Sequence, residues 1–473
     1  MKGLFFGTVC LAAFFATTAQ RTRPDAPAEI AVDLIRARVF LTTTAPNLDL
    51  TIDGASLANA VFSIRTGLPT VRMEIDRNTI RMIRNLQGSP VEVEIDLILA
   101  GVPPRAMVGW TAGGPAAAGT RLEIRNVNAS PSVIDTFTVN STSARFTTAT
   151  DLLRSGGPLG PVRGVDSRLV LAFFYPWWSL GGWSSDLFID SPAQRYSTDD
   201  QGDLVRVMTQ AKAAGLDALV VSWSGRNFNG GIDHRRMLNC LEAARAAGIK
   251  VATLFEATVA NPQHEDGLAD PDTVFRWLVD VVDDYASHPA YLHVGGRPVV
   301  LAYAAQRMSQ AGWADALGRL RASGRDILFI GEGINATRLG ALDGLFFYAS
   351  NLYQGDEIRD FDRTQSLSAR TYHLLPNDTG KRRIWVATVS PGYDDTHLAD
   401  GRVPRVSDRD NGRYYDRQWQ SAIDMRADWV VVTSWNEWLE NTHIEPSVRY
   451  GDLYVRATKS WADRFRANRA VAR

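Results

Sequence analysis

The sequence predicts an α/β protein in which a (β/α)8 TIM barrel follows an N-terminal antiparallel β-sandwich domain. Three observations carry that prediction. Short alternating, β-branched runs fill residues 28 to about 150. From Arg168 onward, eight apolar strand candidates alternate with helical stretches. The last strand candidate leads into two carboxylates set among tryptophans, Trp435-Asn436-Glu437-Trp438-Leu439-Glu440. Parallel-sheet enzymes place their reactive groups where such strands end.

Taken in order, residues 1–20 read as a cleavable signal peptide. Lys2 supplies the basic start, Leu4 to Ala16 form the apolar stretch, and Thr17-Thr18-Ala19 supply small residues for cleavage. The stretch is too short to span a bilayer, which needs roughly 20 apolar residues. The expected mature protein is therefore secreted or periplasmic, without membrane insertion. Cys240 is then the one remaining cysteine, which leaves no internal disulfide, and its helical surroundings favour a buried structural thiol.

Residues 21–155 form the expected sandwich. Runs such as Asn59–Ile64, Thr70–Ile75 and Val91–Leu97 alternate apolar and polar residues and are followed by turn residues. With Trp110 as its one tryptophan, this part lacks an aromatic platform for sugar and reads as a structural accessory domain. The Gly/Pro-rich stretch within 156–165 reads as a linker.

Residues 166–473 form the expected catalytic barrel. Its strand candidates are Leu169–Tyr175, Ala218–Trp223, Val251–Glu256, Val299–Tyr303, Ile327–Glu332, Gly344–Tyr348, Ile384–Val389 and Trp429–Trp435. Helices are expected at Asp203–Ala214, Asp233–Ala247, Asp272–Ala286 and Trp313–Ala322, with Gly215 and Gly248 as C-terminal caps. The long segment from Asn351 to Arg382 predicts an irregular excursion. A doubly wound open sheet is the competing architecture.

The barrel reading places aromatic and acidic residues on one rim: Tyr175, Trp177 and Trp178 after strand 1, Trp223 after strand 2, and Glu256 after strand 3. Tyr303, Glu332 and the Asn436–Glu440 segment follow strands 4, 5 and 8. Sugar rings offer C–H faces to aromatic rings and hydroxyls to carboxylates and amides, so the set points to a glycan site. Glu437 and Glu440 are three apart. A helical turn after strand 8 would bring their Cβ atoms within roughly 5–6 Å, which suits the short carboxyl separation of retaining glycosidases.

Other chemistries fit poorly. The 51 basic and 52 acidic residues leave a net charge of -1, which gives no electrostatic case for nucleic acid. The histidines form neither His-x-His nor His-Glu-x-x-His. No lysine stands at a strand end for Schiff-base chemistry, and no glycine-rich nucleotide loop follows a strand. No Gly-x-Ser-x-Gly elbow surrounds Ser222 or Ser434. No metal or organic cofactor is expected.

From about Leu169 to Trp461 the chain resembles glycoside hydrolase family 99 and the wider 99-like group, which includes WbsX-type proteins. The shared blocks are Phe174-Tyr175-Pro176-Trp177, Tyr196-Ser197-Thr198-Asp199-Asp200, Val221-Ser222-Trp223, His288-Pro289-Ala290-Tyr291, Ser390-Pro391-Gly392-Tyr393-Asp394-Asp395, Trp435-Asn436-Glu437-Trp438-Leu439-Glu440 and Ile444-Glu445-Pro446. The resemblance implies a (β/α)8 barrel that hydrolyses α-mannosidic or similar bonds, often in endo fashion and with retention. It implies that Glu437 is the base that deprotonates the sugar's own 2-hydroxyl and that Glu440 is the general acid/base. It further implies that Glu256, Tyr175, Trp223, Tyr303 and Asn436 line subsites. Two positions depart from the usual block: Leu439 stands where His is usual, and Asn441 where Gly often follows.

The expected partner is an oligo- or polysaccharide, and the expected site comprises catalytic Glu437 and Glu440 with Tyr175, Trp177, Trp178, Trp223, Glu256, Tyr303, Glu332, Asn436 and Trp438 around the sugar. The alternatives are a glycosyl-transferring enzyme of polysaccharide assembly and a non-catalytic glycan-binding barrel.

Overall fold

In a computed structural model of the chain, the described residues are strand segments between 34 and 149, then 167–257, 270–333, 339–355, 357–371, 383–398 and 403–467. The expected signal peptide, residues 1–20, and linker, residues 156–165, lie outside them.

The N-terminal strands form two five-stranded antiparallel sheets. The period-2 pattern read from the sequence sets their elements, for example Ala60–Thr66, Val71–Asp76 and Val91–Ala100. Leu48, Leu50, Trp110 and Ala112 of one sheet and Leu122 and Ile124 of the other are buried. The Trp110 indole donates to Thr148 Oγ1 at 3.1 Å and is buried in the core of its sheet.

The rest is a closed barrel of eight parallel strands: β1 (Val170–Phe174), β2 (Ala218–Trp223), β3 (Lys250–Glu256), β4 (Arg297–Tyr303), β5 (Leu328–Glu332), β6 (Gly344–Phe346), β7 (Ile384–Val389) and β8 (Trp429–Val432). Each pairs with its neighbours in chain order, and β8 pairs with β1 to close the ring. Closure rules out the open doubly wound sheet.

The helices are α1 (Gln201–Ala213), α2 (Ile232–Ala247), α3 (Pro271–Val281), α4 (Gln310–Ala322), α5 (Glu357–Thr371), α6 (Arg413–Asp424) and α7 (Leu453–Ala467). The starts of α1, α3 and α4 follow capping chemistry: Asp200, Asp270 and Ser309 each accept a first-turn backbone N–H. Gly248 ends α2 in the left-handed region at φ 71°, a conformation that favours glycine. Between β6 and β7 the sequence predicted an irregular excursion. The structure instead places the 15-residue α5 there, with residues 372–382 outside the described residues.

Strand alternation splits the core in two. Leu171, Phe173, Val220, Leu254, Leu301, Ile330, Phe346, Val386 and Val431 fill the barrel interior. Val170, Ala172, Phe174, Leu219, Val221, Trp223 and Phe255 face outward against the helices. The parity therefore decides which strand-end side chains reach the rim's mouth.

The opposite rim is pinned by a repeated device. An aspartate directly before β2, β6 and β8 accepts the backbone N–H of a residue in the strand before it. Asp217 accepts from Val170 (2.8 Å), Asp343 from Phe329 (3.0 Å) and Asp428 from Trp385 (2.9 Å). Each aspartate's own N–H donates back to the same residue's carbonyl. Arg466 of α7 then ties Asp217 (2.7 Å), and Arg297 ties Asp343 (2.8 Å).

Candidate active site

The C-terminal rim surrounds a cavity of about 360 Å³, within the usual size range of small-ligand sites. Its walls hold Tyr175, Ser222, Glu256, Tyr303 and Tyr348 from strand ends, Glu437, Leu439 and Glu440 from the segment after β8, and Trp177, Ser224 and Leu398.

Parity selects the strand-end members. Positions 175, 222, 256, 303 and 348 continue the inward-facing series of their strands, so all five point into the mouth. Trp177 lies just beyond β1, with its ring 4.7 Å from Tyr175 and 41% exposed, which leaves a face free for a sugar.

After β8 the chain does not turn into the helix that sequence spacing allowed. It forms a compact series of turns through 434–442, in which Ser434 N–H donates to the Thr442 carbonyl and Thr442 N–H to the Glu437 carbonyl. Glu437 N–H donates to Ser434 Oγ at 2.7 Å. Both carboxylates nonetheless line the same cavity.

Their surroundings differ. Glu437 is buried, and one of its oxygens accepts only the Leu439 N–H, at 3.1 Å. Burial pushes its carboxyl well above the usual carboxylate range, and the charge of Glu440 adds to that push. Glu440 is half-buried and accepts from the Tyr348 hydroxyl at 3.1 Å, while the Tyr393 hydroxyl lies 3.4 Å from its other oxygen. The Tyr175 hydroxyl donates to that of Tyr348 at 2.8 Å, so two phenols feed one donor chain toward Glu440. Burial holds both phenols neutral, and the neighbouring carboxylates reinforce this.

Glu256 stands in the same cavity and accepts from Ser222 Oγ at 2.6 Å. Burial of its carboxyl raises its pKa to about 7.

Several expected sugar-binding residues lie elsewhere. Trp223 sits on the outward series of β2, fully buried against Trp277 and Tyr285, to whose hydroxyl its indole donates at 3.2 Å. Trp178 and Trp438 pack around Trp183 behind the rim. Glu332 does face inward, but lies beneath the mouth. There it accepts the N–H groups of Ala304 (2.7 Å) and Tyr348 (3.1 Å), and burial raises its pKa to about 7. Asn436 is fully buried and clamps Tyr175: its Oδ1 accepts the Tyr175 N–H (2.8 Å) and its Nδ2 donates to the Tyr175 carbonyl (3.0 Å). These five support the wall rather than line it. Tyr348, Ser222, Ser224, Leu398 and Leu439 do line it and were not among the expected contacts. Strand parity alone would have found Tyr348 and Ser222.

The fold and the site together define a (β/α)8-barrel protein with a cluster of acidic and phenolic groups at the C-terminal mouth. The sequence profile of glycosyl hydrolase family 99 matches residues 190–467, and the chain belongs to that family. It is 24% identical over 308 residues to a mouse glycoprotein endo-alpha-1,2-mannosidase, covering 58% of this chain and 63% of that protein. It is 28% identical over 304 residues to a human glycoprotein endo-alpha-1,2-mannosidase-like protein, covering 57% and 63%. The chain thus spans about 63% of the length of these curated relatives. Among solved structures, a GH99 endo-alpha-mannosidase from Bacteroides thetaiotaomicron superposes with a TM-score of 0.53 at 26% identity, over 64% of this chain and 99% of that one.

Proposed function

We propose that this chain is a glycoside hydrolase that cleaves α-glycosidic bonds of the α-mannosidic kind in a polysaccharide or glycan, with retention of configuration. The observation that carries the reading is one cavity holding both Glu437 and Glu440, the second joined to the Tyr348–Tyr175 donor chain. Relatives named as endo-alpha-1,2-mannosidases support the bond type.

In the proposed reaction, Glu437 takes the proton of the sugar's 2-hydroxyl, and that oxygen attacks the anomeric carbon. Glu440 gives its proton to the departing glycosidic oxygen as that bond breaks, which leaves a 1,2-anhydro sugar. Water, deprotonated by Glu440, then opens the three-membered ring at the anomeric carbon. Glu437 returns its proton to the 2-oxygen. Two inversions give net retention.

The reaction begins with one proton on the pair, and burial of Glu437 beside the charge of Glu440 favours holding one there. Burial favours that proton on Glu437. Binding of a sugar 2-hydroxyl beside Glu437 and a glycosidic oxygen beside Glu440 would move it to Glu440.

Two further parts belong to this reading. Residues 1–20 direct export, supported by Lys2 and the apolar Leu4–Ala16 run. The N-terminal sheets pack face to face as an accessory sandwich, supported by the stack of Phe137 of one sheet on Phe146 of the other, with centroids 4.5 Å apart.

A panel of α-linked oligosaccharides that includes α-1,2-mannooligosaccharides, digested and read by mass spectrometry, tests the proposal. Wild type should cleave a mannose-containing member, and Glu437→Gln and Glu440→Gln should each be slower by about 10²–10⁴-fold, the usual worth of a general acid or base. Unchanged turnover in Glu440→Gln would remove it from the reaction.

A further inference from the structure

The Ile444-Glu445-Pro446 and Tyr196-Ser197-Thr198 blocks have no part in the chemistry above, yet they meet behind the site. Glu445 is only 3% exposed, and its Oε2 accepts from the Tyr196 hydroxyl at 2.9 Å. That hydroxyl in turn accepts from Asn436 Nδ2 at 3.1 Å. The indole N–H groups of Trp435 and Trp438 face the same carboxyl without meeting hydrogen-bond geometry.

The directions of these bonds are not free. The Tyr175 N–H requires an acceptor and its carbonyl a donor, so the Asn436 amide is fixed with Oδ1 on the former and Nδ2 on the latter. The second Nδ2 proton then points at the Tyr196 oxygen. A hydroxyl that accepts there must place its own proton elsewhere, and Glu445 Oε2 receives it. If Glu445 could not accept, Tyr196 would hold a stranded proton in a dry interior, or the amide would turn and strand the Tyr175 backbone.

We propose that Glu445 is a positioning residue whose service is acceptor capacity. Through Tyr196 and Asn436 it locks the backbone of Tyr175, and so the phenol that donates to Tyr348 and through it to Glu440. An unbroken run of hydrogen bonds and one backbone clamp joins this buried carboxyl to the reacting one. The claim that this matters for turnover rests on the hydrolase reading. The claim about the clamp does not.

The test compares full-length wild type with Glu445→Gln, Glu445→Ala and Tyr196→Phe. Folding is checked by circular dichroism and Tm. Glutamine keeps a carbonyl acceptor, whereas alanine and the missing hydroxyl break the chain. Amide hydrogen exchange at Tyr175 is the readout that needs no substrate. It should quicken by about 10-fold or more in Glu445→Ala and Tyr196→Phe and stay near wild type in Glu445→Gln. On a cleaved α-1,2-mannooligosaccharide, the two breaking variants should lose about 10–100-fold in kcat with KM changed less than about 3-fold, as misplacement of reacting groups predicts. Glu445→Gln should restore kcat. Normal Tyr175 protection in folded Glu445→Ala or Tyr196→Phe would overturn the proposal, as would a Glu445→Gln variant as impaired as Glu445→Ala. If wild type cleaves nothing, the hydrolase reading fails while the exchange result still decides the clamp.

Discussion

At the residue scale, the site is sorted by which way a strand-end side chain points. Glu256, Tyr303 and Tyr175 sit on the inward series of their strands and reach the cavity, while Trp223 sits on the outward series and does not. The sequence marked these as strand ends but did not mark the parity, which follows once the strands are known to close on an interior. The two glutamates were legible as a pair. Their setting was not, because turns stand where the spacing also allowed a helix, and the phenol of Tyr348, just after β6, comes to meet Glu440. Tyr348→Phe should therefore lower kcat by about 10–100-fold, the worth of a hydrogen bond to a charged group in a dry site, with little change in KM. Trp177→Ala should raise KM several-fold and leave kcat near wild type, since this exposed ring offers only a stacking face. Steady-state kinetics separates the two. Equal losses in kcat for both would contradict the division.

At the element scale, eight strands and most helices were legible from β-branched runs, helix caps and glycine stops, because those signals are local. The α5 region was not, since the face it buries carries Asp362, Gln365 and Ser366 between Ile358 and Ala369, and polar residues do not announce burial. The aspartates before β2, β6 and β8 show how local sequence fixes barrel register: a carboxylate one residue before a strand captures the N–H of the strand beside it. Asp428 is buried, and its loss would leave the Trp385 N–H unpaired. Asp428→Ala should cost roughly 1–3 kcal/mol of stability, read by denaturant unfolding, with kcat per folded molecule unchanged because this rim is remote from the cavity. A stability equal to wild type would show that the capture contributes nothing.

At the scale of the whole molecule, buried carboxyls set a pH dependence that no sequence pattern announced. Burial raises Glu256 and Glu332 to about 7 and both Glu445 and Asp362 to about 8. A carboxyl whose folded pKa is raised binds more protons folded than unfolded, so stability falls as pH climbs from the unfolded value through the folded one. His443 works the other way: burial lowers it to about 3, so it costs stability as pH drops below the unfolded value near 6.5. Above about pH 6.5 that histidine no longer acts, and the carboxyls alone decide the slope. Tm should then fall by several degrees between pH 6.5 and 8.5, at roughly 2–4 °C per kcal/mol for a domain of this size. Glu445→Gln should shallow the fall. A flat profile across that window would show that these carboxyls carry their charge without cost.

The proposed function rests on Glu437 and Glu440 acting together through the sugar's own 2-hydroxyl. Real-time proton NMR of an α-1,2-mannooligosaccharide digest tests it most directly, read in the first minutes before the product mutarotates. The account predicts that the α-anomer of the released reducing sugar appears first and that Glu440→Gln releases almost none. The β-anomer appearing first would contradict it.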